Sequence, residues 1–561
     1  MRFLTAVWLA AFSSFHLCSA ATADDWRLRT IYQVFTDRFA VSNNTEAEPC
    51  DPAKGQYCGG SWQGIIDKLD YIQNLGFSAI WISPITQQLP QYTPDYSSYH
   101  GYWQQNLFEL NPHFGTVSDL QSLSDAVHER GMYLMVDVVV NHFAWDGPEN
   151  QINYSDFTPF NDPKYYHPYC LIEDYTDAND SVIQDCWLGD DQVTLPDLRT
   201  EDDDIIDEFT SWIQGLVANY SVDGLRIDSA LNVDPGFFDK FVPSSGVFAT
   251  GELMDGLTSV ACGYERAIGS ILNYPTYFPL IRAFESPTGS IGQLVDQING
   301  IKMTCQDPTT LGSFSENHDV PRFASTTDDM SLAKNVLAYT LLTDGIPIVY
   351  QGQEQHLSGN GTPYNREALW TTSYNTSATL YTFTQTLNQI RTQAIFSSTN
   401  YTTYNNYVIY QDLHTLAMRK GYNGSQIITV LSNLGVFGSN YTLSLSATET
   451  GYTAGMDVTE LLGCTNTTVD NSNTLEVRMG QGLPKVFYPT ELLAGSGMCG
   501  TIKTVPTTSG FITPGGSPPS SPSSPIPSRT PLGKATSTAT PTWFHMFAST
   551  LAVFILQYWL A

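Results

Sequence analysis

Positive charge is scarce in this chain: 25 Lys and Arg stand against 56 Asp and Glu, a formal net charge of −31. That balance repels phosphate backbones and anionic lipid surfaces, so no nucleic acid is expected as a partner. Close Cys-x-x-Cys pairs and phosphate-cradling glycine loops are also missing, which removes the usual signs of cysteine-held metal and of phosphate chemistry. No Asn-x-Ser/Thr acceptor lies beyond Asn466, and no Lys or Arg follows the apolar stretch Trp543 to Ala561, as a stop-transfer helix would require.

What is present is globular: 561 residues, 42% hydrophobic and 12% aromatic, enough for a large core and more than one domain. Arg2, the apolar run Phe3 to Leu17 and the small residues Ser19-Ala20-Ala21 read as a cleaved secretory signal over residues 1–20, with cleavage after Ala20 or Ala23. Cleavage removes Cys18 and leaves Cys50, Cys58, Cys170, Cys186, Cys262, Cys305, Cys464 and Cys499. An oxidising compartment implies disulfides, although eight cysteines allow 105 pairings. Ten glycosylation acceptors, from Asn43 to Asn466, agree with secretion.

From Val505 the composition turns to Pro, Ser, Thr and Gly, and residues 501–542 read as a stalk that cannot bury a core. Residues 543–561 form a terminal hydrophobic tail. Small residues, polar spacer and tail together make the signal for a glycosylphosphatidylinositol (GPI) anchor, with attachment among Ser528 to Ser537. The expected location is the outer face of the plasma membrane or the cell wall.

Between residues 24 and 400, short apolar runs alternate with amphipathic helical stretches, and eight such units predict an α/β fold, a (β/α)8 TIM barrel over 24–141 and 198–400. About fifty residues, 142–197, separate the third strand from the next helix and are too long for a plain loop, so they read as an inserted subdomain. Residues 401–500 carry short alternating strands, the pattern of an antiparallel β-sandwich.

Three of the barrel runs end in acid: Gly224-Leu225-Arg226-Ile227-Asp228, Gly251-Glu252, and Asn317-His318-Asp319 after Leu311 to Ser315. A single carboxylate there is most often a solvated loop residue or a helix cap. Strand C-termini of a β/α barrel meet at one mouth, so Asp228, Glu252 and Asp319 together predict one acidic site. Such a cluster suits glycoside cleavage, with a metal-dependent hydrolase as the rival. Tyr99-His100-Gly101-Tyr102-Trp103 and Trp62 offer rings and donors suited to sugars, against the alternative of ordinary packing.

These segments, with Asp137-Val138-Val139-Val140-Asn141-His142 and Gly352-Gln353-Glu354-Gln355, make the chain resemble the fungal secreted α-amylases of glycoside hydrolase family 13 over about Asp25 to Cys499. The resemblance implies retaining cleavage of α-1,4-glucan or maltooligosaccharide by a monomer, with Asp228 as nucleophile, Glu252 as general acid/base and Asp319 as transition-state stabiliser. Arg226 sets a fixed positive charge beside Asp228, and Glu252 needs a raised pKa, expected from the like charge of its neighbours. His100, Tyr102, Trp103, His142, His318 and Arg366 are implied substrate contacts, Arg366 on the glycone side. A structural Ca²⁺ is implied at Asn141 and Asp197, completed by carbonyls near Gln184 and Asn232. The implied disulfides are sequential: Cys50–Cys58, Cys170–Cys186, Cys262–Cys305 and Cys464–Cys499.

Four positions depart from the family pattern. Leu231-Asn232 replaces the Lys-His pair that usually contacts leaving-side sugars, Thr362 replaces an Asp before Asn365-Arg366-Glu367, and Asn106 stands where Asp is common. Weaker or reshaped subsites are expected, and with them an alternative activity, a 4-α-glucanotransferase of cell-wall α-glucan metabolism. A noncatalytic glucan-binding wall protein is disfavoured because it has no need of all three carboxylates.

Overall fold

The computed structural model describes residues 21–505 except 44–47, 174 and 176–179. The expected signal, the tail, most of the stalk and the acceptor Asn179 lie outside the described residues.

Parallel strands at Ile31–Val34, Ala79–Ile82, Tyr133–Val139, Gly224–Asp228, Phe248–Gly251, Gly312–Ser313 and Ile346–Tyr350 form one seven-stranded sheet. Ile31 pairs with Ile348, so the first and last of these strands are neighbours and the sheet curls on itself. The remaining gap is spanned by single parallel bridges, Gly251 to Ile271 and Leu272 to Gly312. The sixth barrel strand is this short because helix Thr258–Ile268 ends on Gly269 at φ +97° and Asn273 already caps helix Tyr274–Phe284. The strands at 31–34, 79–82, 224–228, 248–251 and 346–350 are buried throughout, as a parallel sheet covered by helices must be.

Local sequence explains the covering helices. Val117–Glu129 begins at the reciprocal Thr116/Asp119 cap and stops before Gly131 at φ +66°, a backbone angle that favours glycine. Trp62–Asn74 starts at the Ser61 cap, and this buries Trp62 completely against Phe114. Trp62 is therefore core and not a ring of the mouth, as its sequence neighbourhood had predicted. Beneath the barrel, fully buried Trp26 donates to the carbonyl of Asp223 at 3.0 Å. Its ring lies against Gly224, where a Cβ would stand 2.6 Å away, so only glycine admits this plug at the start of the strand that carries Arg226 and Asp228.

An antiparallel hairpin, Thr86–Gln88 with Gln104–Leu110, was not legible as such and brings residues 99–103 to the mouth. The insertion holds a small sheet of its own, Trp145–Asp146, Val193–Leu195 and Leu188–Gly189, joined to the barrel at the His142–Asp197 bridge. The C-terminal domain packs a six-stranded antiparallel sheet against the pair Tyr441–Ser446 and Thr474–Met479, with Ile428, Val430, Leu445 and Val477 between them. Ser496 bridges to Lys503 and Val505 is buried, so residues 501–505 pack on this domain where the stalk was expected to start. All four sequential disulfides are formed.

Candidate active site

Asp228 ends its strand and Glu252 follows Gly251 directly, its N–H donating to the Ile227 carbonyl at 2.9 Å. The two carboxylates thus leave adjacent strands at the same height. One guanidinium joins them: Arg226 Nη1 lies 2.8 Å from Asp228 Oδ1, and Nη2 lies 2.7 Å from Glu252 Oε2. Nη1 also contacts Asp137 at 2.8 and 3.0 Å, so three buried acids share one buried cation.

Ser229, at φ +47°, adopts the left-handed conformation uncommon for a non-glycine residue. The reversal turns its N–H toward Glu252 Oε2 at 3.2 Å and its hydroxyl toward Asp228 Oδ2 at 2.9 Å. Glu252 Oε1 faces the Tyr274 hydroxyl at 3.3 Å, and Asn317 Nδ2 donates to that hydroxyl at 2.7 Å. Oε2 thus lies against Arg226 and Ser229, and Oε1 against Tyr274.

The Glu252 pKa is raised to about 8, first by burial and then by the negative charges of Asp228 and Asp319, against the opposing pull of Arg226. Burial thus leads, where the sequence argument had relied on like charge alone. Asp319 is raised by burial as well, opposed by Arg366 and Arg226.

Asp319 accepts from Arg366 Nη2 at 3.2 Å and lies 3.1 Å from His318 Nε2. Gln33 Nε2 donates to His318 Nδ1 at 2.8 Å, so the neutral ring carries its proton on Nε2, the nitrogen nearer Asp319. Burial and the charges of Arg366 and Arg226 hold His318 well below the ordinary imidazole range, so it is a neutral donor. His100 and His142 are lowered by burial too, and His142 Nε2 donates to the Tyr102 carbonyl at 3.1 Å. The Tyr102 ring lies within 5° of parallel to His318, at 5.2 Å, and its hydroxyl donates to Asp137 at 2.8 Å. Trp103 packs edge-on against His100 at 4.6 Å. The sequence-predicted residues Asp228, Glu252, Asp319, Arg226, His100, Tyr102, Trp103, His142, His318 and Arg366 therefore meet around one mouth.

Residues that sequence reasoning left without a role are Asp137, Trp81, Gln33, Ser229, Tyr274 and Asn317. Asp137 was the findable one: a charged residue in the buried run Tyr133–Val139 has to meet a cation, and Trp81 Nε1 also donates to it at 3.1 Å.

At the implied cation site, Asn141 and Asp197 are wholly buried and adjacent, with Asn141 Nδ2 donating to Asp197 Oδ1 at 2.8 Å. Asn141 Oδ1 has no partner, a buried acceptor for which a hard cation is a fitting companion. Asp197 Oδ2 faces His167 Nδ1 at 2.8 Å. Gln184 Nε2 donates to the Tyr264 hydroxyl at 3.1 Å, and Asn232 Nδ2 donates to the Ile183 carbonyl at 2.9 Å. No cluster of three or more His, Cys, Asp or Glu suited to a metal occurs among the described residues.

Comparison with known proteins agrees with this geometry. Residues 33–242 and 236–415 match the α-amylase catalytic domain, and residues 408–507 match α-amylase domain C. Alpha-amylase 1 of Lipomyces kononenkoae is 52% identical over 478 residues, covering 85% of this chain and 76% of that protein. Alpha-amylase 1 of Schwanniomyces occidentalis is 45% identical over 480 residues, 86% of this chain and 93% of its own. The solved structure of an α-amylase from Malbranchea cinnamomea superposes with a TM-score of 0.82 at 48% identity, covering 85% of this chain and all of that one.

Proposed function

Since the chain belongs to the α-amylase family and is an α-amylase-type glycoside hydrolase, we propose that it cleaves internal α-1,4-glucosidic bonds with retention, through Asp228, Glu252 and Asp319. The observation that carries this reading is the single Arg226 guanidinium that lies 2.8 Å from Asp228 and 2.7 Å from Glu252, so that both acids stand at one mouth while burial and the neighbouring carboxylates raise the Glu252 carboxyl. Glu252 gives its proton to the glycosidic oxygen as Asp228 bonds to the anomeric carbon and the leaving sugar departs. Asp319 faces the positive charge that develops on the ring. Glu252, now ionised, takes a proton from water; the water oxygen bonds to the anomeric carbon and the bond to Asp228 breaks.

Because Glu252 must start protonated, activity is expected to be present below its raised pKa and to fall as pH rises through it. The kcat/KM profile for a maltooligosaccharide should show this alkaline limb, and Glu252→Gln should abolish the limb while lowering kcat by about 10²–10⁴-fold. A limb that survives in Glu252→Gln assigns the proton to another group.

Asn141 and Asp197 would hold a Ca²⁺, with main-chain oxygens near Gln184 and Asn232; the ion would supply charge that ties the insertion to the barrel. Chelation is then expected to lower the melting temperature of the wild-type protein, and Asn141→Ala should melt low with no further response to chelator. Equal responses in both proteins would remove the site from these residues.

A second reading, glucosyl transfer to a sugar, draws on the acceptor rim. The Asn232 amide donates to the Ile183 carbonyl and sits 3.4 Å from the hydroxyl of exposed Tyr175, and Leu231 is almost wholly buried, so neither residue brings a cation to the acceptor rim. Lengthened oligosaccharides appearing faster than new reducing ends would favour transfer.

The expected secretion and GPI anchoring have a supporting fact: every acceptor Asn of a glycosylation motif among the described residues is exposed. Release of the protein from cells by a phosphatidylinositol-specific phospholipase, where inositol acylation does not block it, tests the anchor. An intact C-terminal peptide in the mature protein would contradict it.

A further inference from the structure

Where the C-terminal domain begins, three tyrosine rings with no part in the chemistry above lie in contact. Tyr404 makes a T-shaped pair with Tyr422, ring centroids 4.8 Å apart, and another with Tyr407 at 5.7 Å. Tyr407 and Tyr422 are 48% and 49% exposed, so the cluster presents joined ring surface to water. Scattered exposed rings are ordinary, but contiguous ones mark a contact.

The frame beneath these rings is held to the barrel. Lys420 Nζ donates to the Tyr404 carbonyl and Lys302 Nζ to the Asn406 carbonyl, each at 2.6 Å, and the Asn406 N–H donates to the Asp344 carboxylate at 2.8 and 2.9 Å. Lys302 and Arg419 lie 5.2 and 5.7 Å from the Tyr407 ring centroid, so that ring already has cationic partners. Tyr422 has Tyr404 alone as a ring partner among the described residues, and half of its surface is open.

Tyr422 opens the turn that joins strands Thr415–Lys420 and Ile427–Ser432. The Ser425 N–H donates to the Tyr422 carbonyl at 2.9 Å and Gly424 takes φ +90°, the geometry of a type II turn. A Cβ on Gly424 would meet nothing within 4 Å, so the tip stands clear of the protein. That tip is the glycosylation acceptor Asn423-Gly424-Ser425, and Asn423 is exposed with no hydrogen bond to its amide nitrogen among the described residues. Asn423 Oδ1 would lie 3.1 Å from a Cβ on Gly451, which ends the short helix Ala447–Thr450. From that helix the Glu449 carbonyl accepts from Arg419 Nη1 at 3.1 Å, and Arg419 stands over Tyr407. The Asn423 side chain and the rings thus border one patch.

We propose that Asn423 carries an N-linked glycan whose first N-acetylglucosamine lies on the Tyr422 ring, which Tyr404 holds in place. In its attachment, Asn423 Nδ2 bonds to the anomeric carbon of an oligosaccharide carried on a lipid diphosphate. The carbon–oxygen bond to the diphosphate breaks, and Nδ2 gives up one proton. The sugar turns its C–H face to the ring and its polar edge to water, so the glycan covers the patch and pins the end of the hairpin. The inference rests on the secretion reading, since only a chain in the secretory route meets that donor.

The test is a mutant cycle on the full chain secreted from a glycosylating host, with peptide mass spectrometry for occupancy and a melting curve for each variant. Wild type is expected to carry sugar on Asn423, and Tyr422→Ala to melt about 1–2 °C lower while Tyr422→Phe keeps the wild-type value. Asn423→Gln and Ser425→Ala, which both leave position 423 bare, should melt lower by a similar amount, and adding Tyr422→Ala to either should change little. Asn400→Gln, at the acceptor four residues before Tyr404, should leave the Tyr422→Ala effect intact; its loss there overturns Asn423 as the source of the sugar. Additive shifts overturn the packing, and a Phe variant as impaired as Ala overturns stacking as its basis. A bare Asn423 on a chain glycosylated elsewhere overturns the site, whereas a chain with no sugar at any acceptor overturns the secretion reading beneath it.

Discussion

Replacing Asp228 with Asn is expected to lower kcat on maltooligosaccharides by at least about 10⁴-fold, with a melting temperature close to wild type. The amide keeps the size of the carboxylate and can still meet Ser229, while Arg226 retains Asp137 and Glu252. What is lost is the anion that bonds to the anomeric carbon. An α-glucosyl fluoride separates the two acids, because fluoride leaves without protonation. Glu252→Gln should form the glycosyl-enzyme from it and stall, whereas Asp228→Asn should form none; mass spectrometry of the protein reads the difference directly. Turnover within ten-fold of wild type in Asp228→Asn would mean that another group is the nucleophile.

Arg226→Met should be the most damaging substitution to the folded state, costing about 3–5 kcal/mol, because it strands buried acids rather than removing a pair. Asp137, Asp228 and Glu252 all depend on this guanidinium. Asp137 is already raised to about 7 by burial despite Arg226 beside it. Without the cation, the folded-state pKa values of Asp137 and Glu252 rise further above their unfolded values, so the folded variant binds more protons than the unfolded chain. Stability is then regained as pH falls through those raised values and lost as pH rises. Urea melts at about pH 5 and pH 8 should show the deficit shrinking at the acid end. A deficit below about 1 kcal/mol at pH 8 would mean that the three acids do not rely on Arg226.

How much of this was legible varied with the kind of signal. The strand ends at Asp228 and Glu252 could be read because a buried parallel strand shows as an unbroken apolar run, and the acid marks its rim. The sixth strand was harder, since two helix caps leave room for only two bridged residues there. Trp62 was misplaced because neighbourhood in sequence says nothing about which side of a helix faces inward until the cap at Ser61 sets the phase. Asp137 was visible as a letter and silent as a function, because its partners come from three other strands or loops: Arg226, Trp81 and Tyr102.

Local chemistry therefore settled the elements, the barrel order and the acids at its rim, since propensity, periodicity and caps act over a few residues. The division of labour among those acids came only from tertiary packing. Burial and the charges of Asp228 and Asp319 raise the Glu252 carboxyl against the pull of Arg226, and the groups concerned lie far apart in the chain.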